Sequence, residues 1–243
     1  MEPIALVCLP FAGAGASFFR TWEKHVPETL QILAVQLPGR EERFVEPLHT
    51  DVTQAVADAY DQVVRLTGGT GRVAVFGHSL GAVLAYELAH RLGELGEFSV
   101  ERLFVSGSPG PQDSRKARAS DLDDEAFLAR VRTFAGYAHP ALENPDMREL
   151  LLPALRADVA MHENFRPSTD RPLRVPVTAL RGSQDELVSG AALAGWADIT
   201  ESGLDVVELD GGHMYLADDA PALLQVIENH LQTLPGADRA PVR

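Results

Sequence analysis

Short apolar runs recur along this sequence, and stretches of helical spacing separate them. The runs are Ile4 to Leu9, Ile32 to Gln36, Val73 to Gly77, Leu103 to Ser106, Val177 to Arg181 and Val206 to Leu209. Each is apolar along its length, as a strand covered on both faces must be. Between them Val52, Val56, Ala59, Val63 and Leu66 step by three and four residues. Leu223, Ile227, His230 or Leu231, and Leu234 do the same near the end. Such alternation predicts an α/β architecture, a mostly parallel sheet flanked by helices on both faces. A chain of 243 residues fits one such domain, and 45% hydrophobic with 23% charged residues is the usage of an ordinary globular chain. Residues 235–243 read as a flexible tail.

One connection breaks the rhythm. Seventy residues separate Ser106 from Val177, far more than a helical crossover requires. This segment must carry its own structure. Ser120 and Asp121 are candidate caps for a helix with an acidic first turn and apolar Leu122, Phe127, Leu128, Val131 and Phe134. A second helical stretch from about Asp146 to Phe165 places Met147, Leu151, Leu155 and Val159 four residues apart, with a kink or restart expected at Pro153. An insertion following a parallel strand falls where ligands bind, so residues 111–170 read as a helical lid within the domain.

The chemistry concentrates in Gly77-His78-Ser79-Leu80-Gly81, directly after a candidate strand and before an Ala/Leu-rich helix. This is the context of a nucleophile elbow. The turn strains the serine backbone and tolerates only small residues two before and two after it, which Gly77 and Gly81 satisfy. A serine hydroxyl needs a base to take its proton. His213, in the loop Asp210-Gly211-Gly212-His213-Met214-Tyr215 after the last strand, is the histidine such a fold returns to the elbow. His78 adjoins the serine and reads as packing behind it. Asp185, just past the fifth strand, is the expected partner of His213. Asp210 is its rival, but only two residues separate it from the histidine. Acyl transfer also needs donors for an oxyanion. The backbone N–H of Leu80 supplies one, and Ala12 in the small-residue loop Pro10-Phe11-Ala12-Gly13-Ala14-Gly15 supplies the other. A dinucleotide fingerprint in that loop fails for want of a third glycine and of an acidic residue ending the second strand.

The net charge of -14, from 35 acidic against 21 basic residues, argues against nucleic acid and against a cationic membrane-surface helix. A single cysteine, Cys8, cannot form an intrachain disulfide and reads as core packing. No basic segment precedes the first apolar run, and no run approaches a membrane span. The expectation is a cytoplasmic protein, monomeric, with neither metal nor cofactor of its own.

Five segments together resemble the stand-alone type II thioesterases that accompany modular polyketide and nonribosomal peptide synthases, over nearly the whole chain. They are Leu9-Pro10-Phe11-Ala12-Gly13; Gln36-Leu37-Pro38-Gly39-Arg40-Glu41-Glu42-Arg43; the elbow; Leu152-Pro153-Ala154-Leu155-Arg156-Ala157-Asp158; and Gly211-Gly212-His213-Met214-Tyr215-Leu216. The second and fourth are more discriminating than the elbow. Leu80 departs from the methionine the family more often has after the serine. The resemblance implies an α/β-hydrolase fold and hydrolysis of mis-primed or stalled acyl groups from the phosphopantetheine arm of acyl or peptidyl carrier protein domains. The same triad could serve a general carboxylesterase or acyl-CoA thioesterase, and a carrier-binding module with a vestigial triad is a third reading. Because family carriers tend to be acidic, a local positive patch is expected, with Arg40 and Arg43, or Arg115, Lys116 and Arg118, as its candidates.

Overall fold

The computed structural model describes residues 3–112, 118–135 and 140–233. Strands β1 (Ile4–Leu9), β2 (Leu30–Ala34), β3 (Gly71–His78), β4 (Phe98–Ser106), β5 (Val177–Gly182) and β6 (Leu204–Leu209) form a sheet in the order β2-β1-β3-β4-β5-β6. Every neighbouring pair is parallel. The helices in chain order are α1 (Ser17–Arg20), α2 (Val52–Thr67), α3 (Leu80–Leu95), α4 (Asp124–Ala135), α5 (Pro145–Asn164), α6 (Gly190–Leu193), α7 (Tyr215–Asp218) and α8 (Ala220–Gln232). The first residue of the central strands alternates faces with the next, as pleating requires. Val7, Val75, Val105 and Ala179 pack with α2 and α3 on one side. Leu6, Phe76, Phe104 and Leu180 pack with α8, Phe19 and Trp22 on the other. Cys8 lies in this second layer, fully buried, and burial pushes its thiol up.

The helices obey local signals where these exist. The Asp51 carboxylate accepts from the Gln54 N–H at 2.9 Å to start α2, and Gly68, in the left-handed region, ends it. Val52, Val56, Ala59 and Val63 are buried as expected, with Ala55, Tyr60 and Gln62 beside them, whereas Leu66 in the last turn is exposed. Every strand but β1 differs from its expected bounds, β3 and β5 by only one or two residues at an end. β2 ends at Ala34, not Gln36: Val35 and Leu37 remain buried in the core, so their apolar character marks packing beyond the ladder. β4 begins at Phe98, since the polar Ser99 and Arg102 that interrupt its apolar pattern still pair with β3, the ladder being broken only by a bulge at Glu101. β6 is an edge strand with Val206 half-exposed, not buried on both faces.

The β4–β5 insertion holds α4 and α5, whose Phe127, Leu128, Leu152 and Leu155 cluster with Leu142 of the 3-10 turn between them. Asp123 caps α4 by accepting from the Ala126 N–H at 2.8 Å. The expected caps do other work: Ser120 bonds Glu163 of α5, and Asp121 pairs with Arg118. α5 runs from Pro145 to Asn164 through Pro153 as one helix, with Asn144 as its cap. Its buried face is Leu152, Ala154, Leu155, Asp158 and Met161, rotated from the expected one, and Met147 is exposed. The tail 235–243 lies outside the described residues.

Candidate active site

Ser79 stands between β3 and α3 with φ 53° and ψ −113°. Only Glu41 shares a positive φ among the described non-glycine residues, and such a conformation is strained for a side-chain-bearing residue. The glycines around it are dictated by contact. A Cβ on Gly77 would fall on the carbonyl of Gly81, and one on Gly81 would press on the carbonyl of Leu9. The turn is further held by the Ser79 N–H donating to the Ser106 carbonyl at 2.8 Å.

The carboxyl ends of β5 and β6 bring the acid and the histidine together. Ser183 and Gln184 donate their N–H groups to Leu209 and Gly211, and a Cβ on Gly182 would collide with the Gly211 and Gly212 carbonyls. This close approach sets His213 Nδ1 2.8 Å from Asp185 Oδ2. The other oxygen, Oδ1, accepts from the Leu187 and Val188 N–H groups at 2.8 and 3.1 Å. Arg181 braces the same loop by donating to the Asp185 and Val188 carbonyls. Burial alone would raise the Asp185 carboxyl, but the hydrogen bond and charge of His213 and the two backbone donors outweigh it and hold it below its ordinary value. Asp210 is exposed, and His213 Nδ1 is engaged by Asp185 rather than by it.

His78 turns away from solvent and is fully buried, its ring 4.7 Å from that of His213 between centroids. Its Nδ1 is 2.9 Å from the Ser106 hydroxyl, which is 2.7 Å from the Tyr215 hydroxyl. Burial, and then the neighbouring His213, push the His78 imidazole well below its ordinary value, so it is neutral. Gly107, φ 56°, permits this stack, since a Cβ there would strike the His78 ring and touch His213 Cε1.

Ala12 lies in the turn after β1, in which the Ala14 N–H donates to the Phe11 carbonyl at 3.0 Å. Leu80 opens α3, so it has no carbonyl behind it in the helix. Among the described residues neither the Ala12 nor the Leu80 N–H has a hydrogen-bond acceptor. Phe11 meets the His78 ring edge-on at 6.0 Å, which places this turn beside the elbow.

A thioesterase domain profile matches residues 5–231. This chain belongs to the thioesterase family. The thioesterase is 35% identical over 242 residues to thioesterase PikA5 of Streptomyces venezuelae, covering 98% of this chain and 85% of the relative. It is 31% identical over 230 residues to the gramicidin S biosynthesis protein GrsT of Aneurinibacillus migulanus, covering 94% and 89%. Its fold matches that of the type II thioesterase BorB from the borrelidin biosynthetic cluster, with a TM-score of 0.84 at 34% identity over 94% of this chain and 93% of that one. The type II resemblance and the α/β-hydrolase fold expected from the motifs are thereby shown, and the protein is a hydrolase.

The thioesterase carries a cavity of about 650 Å³ between Val83 of α3, the Ser108–Gln112 segment, the end of α5 and residues 165–170. Ser108 directly follows Gly107, on which a Cβ would meet His213, and Trp196 holds Ser108 by donating to its carbonyl at 2.9 Å. Among the described residues no helix is long and apolar enough to cross a membrane. One candidate for a docking patch is overturned. Arg40 is buried in an ion pair with Asp158 and presents no charge to a partner, because the chain after β2 folds back under α5. Arg43 is partly buried between Glu46 and Asp58. Arg118 is exposed beside Asp121, while Arg115 and Lys116 lie outside the described residues.

Proposed function

We propose that this thioesterase hydrolyses acyl groups from the phosphopantetheine arm of acyl or peptidyl carrier proteins in a polyketide or nonribosomal peptide pathway, through an acyl-enzyme on Ser79. The observations that support the reading are the His213–Asp185 pair, whose imidazole lies 4.7 Å from the ring of His78, the residue before a strained serine that opens a helix, and the unengaged Ala12 and Leu80 N–H groups. His213 takes the serine proton as the hydroxyl attacks the thioester carbonyl. The charge that develops on the carbonyl oxygen is received by the Ala12 and Leu80 N–H groups, reinforced by the amino end of α3. Collapse expels a thiolate, a better leaving group than an alkoxide, and His213 then activates water to release the acid. Asp185 holds the imidazole in one tautomer and stabilises its protonated form. The enzyme works as a monomer in the cytoplasm and needs no cofactor of its own, the pantetheine arriving on the partner.

The insertion acts as a lid over the 650 Å³ cavity, to which α5 contributes His162 and Glu163. Clearing of mis-primed or stalled units follows if diverse acyl chains are accepted. A test compares kcat/KM for matched acyl-carrier, acyl-CoA and p-nitrophenyl ester substrates, with Ser79→Ala as the blank. The expected order is acyl-carrier first. A preference for acyl-CoA or for simple esters would replace the carrier-directed reading with a general thioesterase or carboxylesterase.

A further inference from the structure

The two most discriminating motifs, Gln36 to Arg43 and Leu152 to Asp158, contain no residue of the proposed triad. They converge on the loop that carries Ala12. Arg40 donates from Nη1 and Nη2 to the two Asp158 oxygens at 2.5 and 2.9 Å, a paired geometry, with side chains only 6% and 1% exposed. Asp158 Oδ2 also accepts from the Gly13 N–H at 2.8 Å, and Arg40 Nη1 donates to the Ala14 carbonyl at 3.1 Å. Farther along the loop, Gln36 Oε1 accepts from the Ala16 N–H at 2.9 Å, and the Glu41 carboxylate accepts from the Ser17 N–H at 3.1 Å and from its hydroxyl. Glu41 does so from a strained backbone, φ 49°.

The geometry bears on the turn itself. Ala12 and Gly13 are its central residues, and Gly13 has φ 79°. Positive φ at the third position marks the turn form that differs from its commoner counterpart by a flip of the central peptide. The N–H of that peptide is the Gly13 N–H, which Asp158 accepts. The carboxylate therefore selects one orientation of that peptide, and together with the Arg40 bond to the Ala14 carbonyl it tethers the turn, and so fixes where the Ala12 N–H stands. Leu155 closes the space from the same helix, its Cδ1 3.0 Å from where a Gly13 Cβ would stand. A buried ion pair contributes little net stability, because desolvation offsets the attraction; holding one backbone geometry is what this one is placed to do.

We propose that Arg40 and Asp158 are positioning residues for the oxyanion-binding N–H of Ala12, and that α5 of the insertion thereby forms part of the acyl-transfer apparatus as well as covering the cavity. The proposal rests on the reading of Ser79 and Ala12 above. Two probes test it: the acetyl thioester of N-acetylcysteamine, and an alkylboronic acid, which adds to a nucleophilic serine to give a tetrahedral anion. Asp158→Asn keeps an acceptor but loses the charge, and Arg40→Lys keeps the charge but loses the paired donors. Either variant, whichever remains folded by circular dichroism, should lower kcat roughly 10- to 100-fold, less than or comparable to deleting an oxyanion donor. KM should move less than about threefold, and boronate affinity should weaken in proportion to kcat. Boronate binding that depends on Ser79 but keeps its parent affinity in both variants would overturn the positioning role alone. A fall in kcat matched only by a fall in folded fraction would overturn it too. Boronate binding that survives Ser79→Ala would overturn the site reading, and this proposal with it.

Discussion

The elbow around Ser79 and the loop around Ala12 each carry a backbone N–H with no acceptor among the described residues, yet they are built by opposite means. The elbow is held by its own neighbours. Gly77, Gly81 and the strand-to-helix junction impose its geometry, and backbone atoms fill the space a side chain would need. The loop is held from a distance: Gln36, Arg40 and Glu41 reach it from beyond β2, and Asp158 from the insertion. A turn defined by steric exclusion has few alternatives. One defined by side-chain hydrogen bonds can relax when a partner is lost, so the elbow should fail abruptly and the loop by degrees.

Removing the elbow's chemistry without touching its geometry should have the largest effect. Ser79→Ala is expected to lower kcat on the order of 10⁶-fold with an unchanged circular dichroism spectrum. Retention of a tenth of the activity would remove the elbow from the comparison as a catalytic element. Next is Asp185→Asn, with a loss of about 10⁴-fold, against a change of only a few fold for Asp210→Asn. Reversal of that order in steady-state kinetics would transfer the acid to the last loop.

The contrast in construction is tested by two alanines. Gly77→Ala forces a Cβ onto the Gly81 backbone and should cost about 3 kcal/mol or more in denaturant unfolding. Gly15→Ala meets only the Glu41 carboxylate, the movable end of a side chain, and should cost about 1 kcal/mol while still lowering kcat by releasing Ser17. Equal destabilisation by both would show that the two turns are equally rigid.

The smallest effect concerns pH. His78 titrates well below its ordinary value in the folded chain, so as pH falls below about 6.5 the unfolded chain takes up a proton that the folded chain refuses. Stability should therefore decline on acidification, with a slope from this residue of at most about 1.4 kcal/mol per pH unit. His90, lowered by burial, adds to it in the same direction. His78→Gln should flatten the slope measured by urea unfolding between about pH 5 and 6.5. An unchanged slope would mean that other groups govern the acid limb.

Much of this was legible because it is local. Apolar runs marked the strands, glycine spacing marked the elbow, and the rank order of Asp185 and Asp210 followed from strand position, chain order and loop length. Where polar residues interrupt a run, as in β4, or where apolar ones continue past the ladder, as after β2, the pattern misplaced the ends. Composition records burial, whereas strand bounds record backbone pairing. Arg40 was the instructive misreading: an arginine in a polar, glycine-containing segment looks the same in sequence whether it faces solvent or a buried carboxylate 118 residues away.

The sequence by itself determined the α/β layering, the serine in its strained turn, and the family through five motifs spread along the chain. Those features depend on residue spacing within a few positions, where covalent geometry and side-chain size suffice. Only the tertiary structure decided that Asp185 engages His213, that His78 is buried neutral behind it, and that the two motifs outside the proposed triad close on the Ala12 loop. Those pairings join residues 28 to 145 positions apart, and a charge or a hydrogen-bond donor acquires its role only from the partner that the completed fold sets within about 3 Å of it.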